Sequence, residues 1–519
     1  MNLFPRPARK PSRPPPPRTT GRAAAAPVAD PNAPLAAHPQ GTFFAVAIVF
    51  FTAVTLHGLQ PSDIARYAAI CVAVGIGLSI AYDLRRGIRN LQRADLFAIL
   101  AYYFLTLFEF LFPQPNFDKM LSRELASEGT IICLIGFAGL FIGRHLFIPK
   151  KQPFHATLTH EIPIGWLLAI FWISTVIGYS NMLITVDFNV LKMIDEFMAP
   201  RFTQPWSRER LGSWSALLYE LNMLIQLVPP LAGIILARRH RYPFGQLVLV
   251  FAVFAVTLFY GFASGTRNIF ATFLVTFLMG YSLAAPPNRQ KEVAILAGAA
   301  AVMMCLATFY MLQFRDAGFK NYIQGKWTPP PTEAGVKRTL YVDYNLYSIC
   351  KLAEFFPHTH EYLGFEIPYQ AIIRPIPRAV WPGKPTGLSM SIENAMNMEG
   401  LTISASFAGE AYMSGGSIAV FVIALALGGF MGWWNAFASP HNSEIGHLVY
   451  ASGFFAAVIS MRSLFVFTTA LLPAAIAIFA SIFVVRTLID RTTRLLRRTA
   501  VARRPPPRPP LPPKPQRRT

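Results

Sequence analysis

The chain has 519 residues and a formal net charge of +21 at pH 7, yet only 14% of its residues are charged and 53% are hydrophobic. A soluble domain carries about 25% charged residues, so this composition excludes an ordinary soluble protein. The apolar residues also fall in long blocks, such as VAILAGAAAVMMCLATFYML at 293–312. About 20 consecutive apolar residues cross a bilayer as one helix. We therefore expect an all-α polytopic membrane protein.

The positive charge is concentrated in two tails. Residues 1–22 hold six Lys/Arg and no acid, and residues 486–519 hold eleven Lys/Arg and one Asp. Segments 1–40 and 490–519 are rich in proline and poor in apolar residues, which predicts disordered tails. We interpret them as cytoplasmic topology signals attracted to anionic lipids, with docking of a partner protein as the alternative. No nucleic-acid partner is expected, because no aromatic residue interleaves with the basic residues of the C-terminal tail.

Twelve apolar blocks predict transmembrane helices, nine within residues 41–313 and three within residues 402–489. The last run is about two bilayers long, so it must turn, and its only internal charged residue, Arg462, marks the turn. Alternate connections, such as DLRRGIRNLQRAD, ARRHRYP and PPNRQKE, are basic, whereas the first opposite connection, LQPSD, has no Lys or Arg. The positive-inside rule then places both termini in the cytoplasm. The blocks lie near 41–59, 64–83, 96–113, 129–148, 163–183, 214–237, 244–263, 268–285, 293–313, 412–435, 447–461 and 464–486.

A large outer loop, residues 314–401, separates the ninth and tenth predicted helices, and long ordered loops are usually functional. Its stretch 339–356 has apolar residues at helical spacing, which predicts an amphipathic helix across the membrane surface. The later stretch 372–385, IIRPIPRAVWPGKP, contains four prolines and must be extended or turned. Guanidinium groups such as those of Arg374 and Arg378 suit phosphate oxygens, although ion pairs with loop acids are the alternative. Lys384 adds a further cation, and Trp381 suits either the membrane interface or a sugar ring.

Two more segments face the same side. In SGTRN, residues 264–268, Arg267 stands at a predicted helix N-terminus, which favours an anion; snorkelling to lipid headgroups is the alternative. In SASFAGEAYMSGG, residues 404–416, Glu410 suits a general base or a counter-ion that orients an arginine, and Tyr412 and the glycines allow close packing. The basic residues together suit a lipid-linked phosphate or pyrophosphate. The sequence has no metal-ligand spacing and no phosphate-binding glycine motif, so neither a metal nor a nucleotide cofactor is expected.

The order SGTRN, FFPHTHEYLGFEIP, IPRAVWPGKP, AGEAYMSGG and ISMRS resembles that of the Wzy-type O-antigen polymerases, over about residues 260–470. The resemblance implies a multi-pass glycosyltransferase of the bacterial inner membrane, working at the periplasmic face. Such enzymes join oligosaccharide repeat units carried on undecaprenyl pyrophosphate, beside a flippase and a chain-length regulator. By motif position, the resemblance assigns Arg267, Arg378 and Arg462 to the pyrophosphate and the donor, with Arg374 and Lys384 in support. We also include Trp381, His360 and Tyr412 among the candidate substrate-binding residues.

In this reading Glu410 is the candidate base for the acceptor hydroxyl, with His358 or His360 as a substitute, because histidine titrates near neutrality. Two membrane proteins of related pathways are alternatives: an O-antigen ligase, and a flippase for lipid-linked oligosaccharides. A transporter is disfavoured because the sequence has no pair of matching halves. A scaffold that recruits partners through its tails is a third alternative.

Overall fold

The computed structural model describes residues 35–147, 149, 151–200, 203–206, 221–314, 317–326, 345–376, 380–385, 387–389 and 405–502, and this part of the chain is helical, without a β-strand. The prediction of an all-α protein is confirmed for these residues. In chain order the α-helices are α1 Pro39–Val54, α2 Pro61–Leu84, α3 Ala94–Thr106, α4 Pro115–Met120, α5 Arg123–Gly143, α6 His155–Leu158, α7 Ile164–Thr185, α8 Val190–Phe197, α9 Val228–Ala237, α10 Phe244–Ala263, α11 Arg267–Ala284, α12 Gln290–Phe314, α13 Phe319–Ile323, α14 Asn345–Phe355, α15 Glu366–Ile373, α16 Ser406–Trp434, α17 Glu444–Ser460, α18 Phe467–Ala470 and α19 Leu472–Ala502.

Eight helices of the described residues are long and apolar enough to cross a membrane: α2, α5, α7, α10, α11, α12, α16 and α19. Four shorter apolar helical segments, Pro39–Val54, Ala94–Thr106, Asn222–Ala237 and Glu444–Ser460, stand at the remaining predicted blocks. The structure thus supports a membrane protein, and twelve crossings remain a prediction. We call the end of the bundle where α1 begins the tail end, and the end where α12 finishes and α16 begins the loop end.

The most extensive helix contact in the described residues joins α5 and α16. A Cβ atom at Gly143 would lie 2.3 Å from the Leu425 carbonyl oxygen, and one at Gly432 would lie 2.4 Å from the Arg144 carbonyl oxygen. The two backbones therefore touch, because glycines occupy the crossing on both helices. Small residues four apart allow this approach inside membranes, where packing rather than the hydrophobic effect holds helices together. The contact sets the relative position of these helices.

A buried ionic network closes the tail end of this helix pair. Arg93 places Nη2 2.7 Å from Asp83 Oδ2 and Nε 3.1 Å from Asp95 Oδ1. The second arginine, Arg144, lies 3.7 Å from Asp95 and donates to Ser79 Oγ at 2.9 Å. Burial lowers the pKa of Arg93, but the Asp95 and Asp83 carboxylates outweigh burial and raise it. The network contains two acids and two arginines, so its formal charges cancel in an apolar surrounding.

Asn435 ties the network to α16. Its side-chain oxygen accepts bonds from the Ala94 backbone N–H at 2.9 Å and from the Tyr450 hydroxyl at 3.0 Å, and its Nδ2 donates to Asp95. One amide therefore connects α3, the end of α16 and α17. In the sequence, Asp83, Arg93 and Asp95 were interpreted only as part of a basic connection. The two acids within that connection were the available signal for an ionic network.

The helix predicted at 339–356 is present as α14, Asn345–Phe355, while residues 339–344 lie outside the described residues. Its apolar side chains are buried against α5 and α16, and Cys350 Sγ fills the space where a side chain at Gly129 would lie. The amphipathic helix is therefore present with its apolar face covered by the bundle, and its position across the membrane surface remains a prediction. The helix packs into the bundle because Gly129 leaves room for Cys350.

The glycine contact predicts a sharp position dependence. Replacing Gly143 by leucine pushes a side chain into the α16 backbone, and we expect loss of most of the folded protein. The matched control is Gly77→Leu on α2, where a Cβ atom would meet nothing within 4 Å. Fluorescence-detected size-exclusion chromatography of the two variants measures the folded yield. Equal yields would contradict the close contact.

The ionic network predicts a large stability effect at Asp95, which is 2% exposed. Asp95→Ala leaves two buried arginines with one fewer carboxylate, and breaking a buried pair costs about 3–5 kcal/mol. We expect that loss in the free energy of unfolding in detergent. Arg239→Gln, which breaks an exposed ion pair with Glu292, is the control and should leave stability unchanged. An Asp95 variant as stable as the control would show that the network contributes nothing.

Candidate functional site

The candidate site is built around Glu410, on the first turns of α16 at the loop end. Its carboxylate is 9% exposed and accepts two hydrogen bonds, from Ser463 Oγ at 2.6 Å and from the Leu464 backbone N–H at 2.5 Å. Both donors directly follow Arg462 in the chain. The turn between α17 and α18 is therefore fixed by Glu410, and this turn carries the arginine that the sequence placed there.

The loop helix α15 packs on the same turn. The Thr468 hydroxyl of α18 donates a hydrogen bond to the carbonyl oxygen of Ala371, and α15 also contacts α16 and residues 464–466. It ends at Ile373, so Arg374 is its C-terminal cap, in agreement with the expectation that prolines exclude a helix beyond this point. Arg374 is exposed at the end of this helix.

Lys384 folds the proline-rich segment back onto the end of α15. Its ammonium group donates to the carbonyl oxygens of Arg374 at 2.8 Å and of Ile376 at 2.9 Å. Glu366, one of the acids of the large loop, accepts a hydrogen bond from Ser389 Oγ at 2.8 Å. The Lys384 bonds thus hold the described residues of the segment against the end of α15, where Arg374 is exposed.

Arg378 lies outside the described residues, together with 377 and 379, so its predicted place in the site remains a prediction. Trp381 is partly exposed, and its carbonyl oxygen accepts a hydrogen bond from the Lys384 backbone N–H. The position of Trp381 leaves both of its predicted roles open. Among the described residues no group of His, Cys, Asp and Glu is arranged to hold a metal ion.

Tyr412 stabilises the loop beneath the site. It is 5% exposed, its hydroxyl lies 3.4 Å from the Phe356 carbonyl oxygen, and its ring stands edge-on to Tyr362 at 5.9 Å. A group buried in this way positions the loop rather than contacting a bulky substrate. His358 is exposed and His360 is partly exposed, with its Nδ1 2.7 Å from the Glu361 carbonyl oxygen. Both histidines therefore lie at the surface of the loop end.

Arg267 begins α11, which packs against α17, the helix that leads into Arg462. Beside it lies an apolar cleft of about 400 Å³ between α10, α11 and α12. Phe262 and Phe270 line this cleft and flank the turn that carries Arg267. The structure thus combines a cation at the loop end with an apolar space between membrane-length helices.

Ser463 and Thr468 are site residues that sequence reasoning missed. Both hydroxyls stand in the apolar stretch ISMRSLFVFTTALL, where they join the turn to α16 and to α15. Hydroxyl groups beside the only charged residue of a long apolar run were the available signal. Their partners were not predictable, because Glu410 and Ala371 come from segments more than 50 residues away in the chain.

Comparison with known proteins gives one match. A family model described as a domain of unknown function, DUF8712, is similar to residues 345–487. That stretch is less than a third of the chain, begins with α14 and ends within α19, and contains Arg374, Glu410 and Arg462. No curated protein and no solved structure matches the chain. The similarity therefore coincides with the segment that builds the Glu410 turn.

The hydrogen bonds of Glu410 predict a local effect that is independent of activity. In Glu410→Ala the Leu464 amide loses a charged acceptor worth about 1.5–3 kcal/mol, so we expect roughly 10- to 100-fold faster hydrogen exchange there. Hydrogen–deuterium exchange mass spectrometry of the peptide spanning 462–468 measures it. The control is Glu354→Ala, which removes an exposed carboxylate that pairs with Lys351 across one helical turn. Unchanged exchange in the Glu410 variant would contradict its role in fixing the turn.

Proposed function

We propose that this protein polymerises undecaprenyl-pyrophosphate-linked oligosaccharide repeat units at the periplasmic face of the bacterial inner membrane. The proposal includes twelve membrane crossings with both termini in the cytoplasm, which the basic connections at the tail end support. The observation that carries it is the Glu410 turn. Segments far apart in the sequence, AGEAY, ISMRS and IIRP, meet there and place arginines at the loop end.

The reaction proposed for this site needs stabilisation of a departing diphosphate. Glycosyl transfer breaks the bond between the anomeric carbon and the pyrophosphate, and the acceptor hydroxyl takes its place and loses its proton. Negative charge then grows on the departing lipid pyrophosphate. Fixed cations aimed at this position lower the barrier, because they need not reorganise during the reaction. Arg462 on its fixed turn and Arg374 on the cap of α15 suit this task, and we assign Arg378 to the same group.

The apolar cleft supports the proposed lipid substrate. A polyprenyl chain requires an apolar space that opens to the membrane while its diphosphate stays at the surface. The cleft between α10, α11 and α12 has this character, and Arg267 lies at the turn beside it. We assign Arg267 to the diphosphate of a lipid bound there.

Glu410 fits a positioning role better than the role of base. Both of its oxygens accept hydrogen bonds from the turn after Arg462, and it lies near Arg374. We therefore assign Glu410 the role of anchoring this turn, rather than the role of base. His358 and His360, at the surface of the same end, remain the candidates for accepting the proton of the acceptor hydroxyl.

The test uses a strain that lacks this gene, complemented with Arg378→Ala or Arg462→Ala. Loss of one preorganised cation costs roughly 10²- to 10³-fold in rate, so we expect polymer to disappear and single repeat units to accumulate on carrier lipid or on lipid A core. Glycan profiles on gels and mass spectrometry of lipid-linked units measure both. Arg239→Ala, at the exposed tail end, is the matched control and should make normal polymer.

Other outcomes separate the alternatives. Full-length polymer from both arginine variants, at normal protein level, would refute the assigned roles. Long polymer stranded on carrier lipid in the deletion strain would indicate a ligase, and repeat units trapped inside the cell would indicate a flippase.

A further inference from the structure

The loop helix α15 has an exposed apolar face that no described part of the chain covers. Ile367 and Ala371 are buried against the bundle, whereas Phe365 is 88% exposed, Tyr369 45% and Ile372 67%. The three exposed residues lie four and three positions apart, so they form one stripe along the helix. We call Phe365, Tyr369 and Ile372 the apolar stripe. An apolar patch of this kind on a helix surface marks contact with a partner or a membrane.

The stripe lies at the level where membrane-length helices begin. On one side, the Leu363 N–H donates to the Met413 carbonyl oxygen of α16 at 2.8 Å, and the Tyr362 hydroxyl lies 2.8 Å from the place of a Cβ atom at Gly416. On the other side, Thr468, just before α19, holds Ala371. The helix α15 is therefore fixed between the loop ends of two helices that are long enough to cross a membrane.

The stripe continues into surface that faces lipid. Two and six residues beyond Gly416, α16 exposes Ile418 (79%) and Val422 (54%), which are apolar side chains of a membrane-length helix. An exposed apolar side chain on such a helix is expected to contact acyl chains. The stripe lies beside the start of this surface. The acyl chains that contact the exposed side chains of α16 are therefore expected to contact the stripe as well.

Charge at the end of α15 favours the same occupant. Arg374 directly follows the helix, and Lys384 is bonded to the carbonyl oxygens of Arg374 and Ile376. The carboxylate of Glu366 is turned to Ser389 rather than to the stripe. Apolar side chains followed by cations match the layers of a phospholipid leaflet, in which acyl chains end at a plane of phosphates.

We propose that α15 is a membrane-interface helix: Phe365, Tyr369 and Ile372 insert into the phospholipid leaflet at the loop end, and Arg374 lies at the phosphate plane. The occupant is phospholipid, preferably anionic. Insertion fixes the height of Arg374 and, through Ala371 and Thr468, of the turn after Arg462. This inference stands apart from the proposed function, because it requires no glycosyl transfer.

Spin labels measure the depth of the stripe. Cysteines are introduced singly at Phe365 and Ile372 in a chain whose four native cysteines are replaced, and controls are introduced at the exposed loop residues Glu354 and Glu361. In nanodiscs of phosphatidylethanolamine and phosphatidylglycerol, labels at 365 and 372 should collide more with oxygen than with a water-soluble nickel chelate. Labels at 354 and 361 should show the reverse. Greater nickel access at 365 and 372, or low access of both reagents there, would overturn the proposal.

A second measurement uses the native chain and does not depend on replacing cysteines. Hydroxyl-radical footprinting in the same nanodiscs labels side chains that water reaches. Although Phe365 is 88% exposed by the protein itself, it should be oxidised at least several-fold less than the exposed His358 peptide after correction for intrinsic reactivity. Oxidation of Phe365 at the rate of a water-exposed phenylalanine would overturn membrane insertion, even if polymerase activity were established.

Discussion

The backbone contact between α5 and α16 is the constraint on which the rest of the structure depends. Glycines at the crossing bring Gly143 and Gly432 against the opposite main chain. Because α16 is fixed there, both of its ends have defined neighbours: Asn435 bonds Asp95 at the tail end, and Glu410 bonds the turn after Arg462 at the loop end. The helix α14 also rests on both partners. Close helix packing thus sets the positions of Asn435 and Glu410 at the two ends of α16.

The buried arginines of the tail end and the exposed Arg374 of the loop end have different surroundings. At the tail end Arg93 and Arg144 are fully buried, and carboxylates and hydroxyl groups surround them. At the loop end Arg374 stays exposed, and the carboxylate near it is occupied by Ser463 and Leu464. Buried, paired charges stabilise a fold or specify its arrangement. An exposed arginine beside a fixed turn is suited to an anionic ligand, and Arg374 provides one at the loop end.

Membrane class, helix order and the end of α15 before Pro375 were predictable, because apolar block length and proline chemistry act locally. The grouping of Glu410 with the Arg462 turn was not predictable, because the bonded residues lie 53 positions apart and the position of Ser463 beside Arg462 does not identify its partner. Helical spacing of apolar residues predicts that a helix has an apolar face, but it does not identify the surface that covers this face. The burial of α14 in the bundle was therefore not predicted. The ionic network was not predicted because Arg93 lies in a basic connection of the kind that sets membrane topology. Its pairing with Asp95 is evident only from the structure.

The break inside α16 has a consequence for how the protein responds to its bilayer. Gly415 and Gly416 depart from helical backbone, with φ of 66° at Gly416, so the turns that carry Glu410 form a separate segment from the long apolar part. A helix in a thinner or thicker bilayer adjusts by tilting. We expect a change in the tilt of the long part to be taken up at these two glycines, so that the hydrogen bonds of Glu410 stay intact in bilayers of different thickness. The positive φ at 416 favours a residue without a side chain at this hinge.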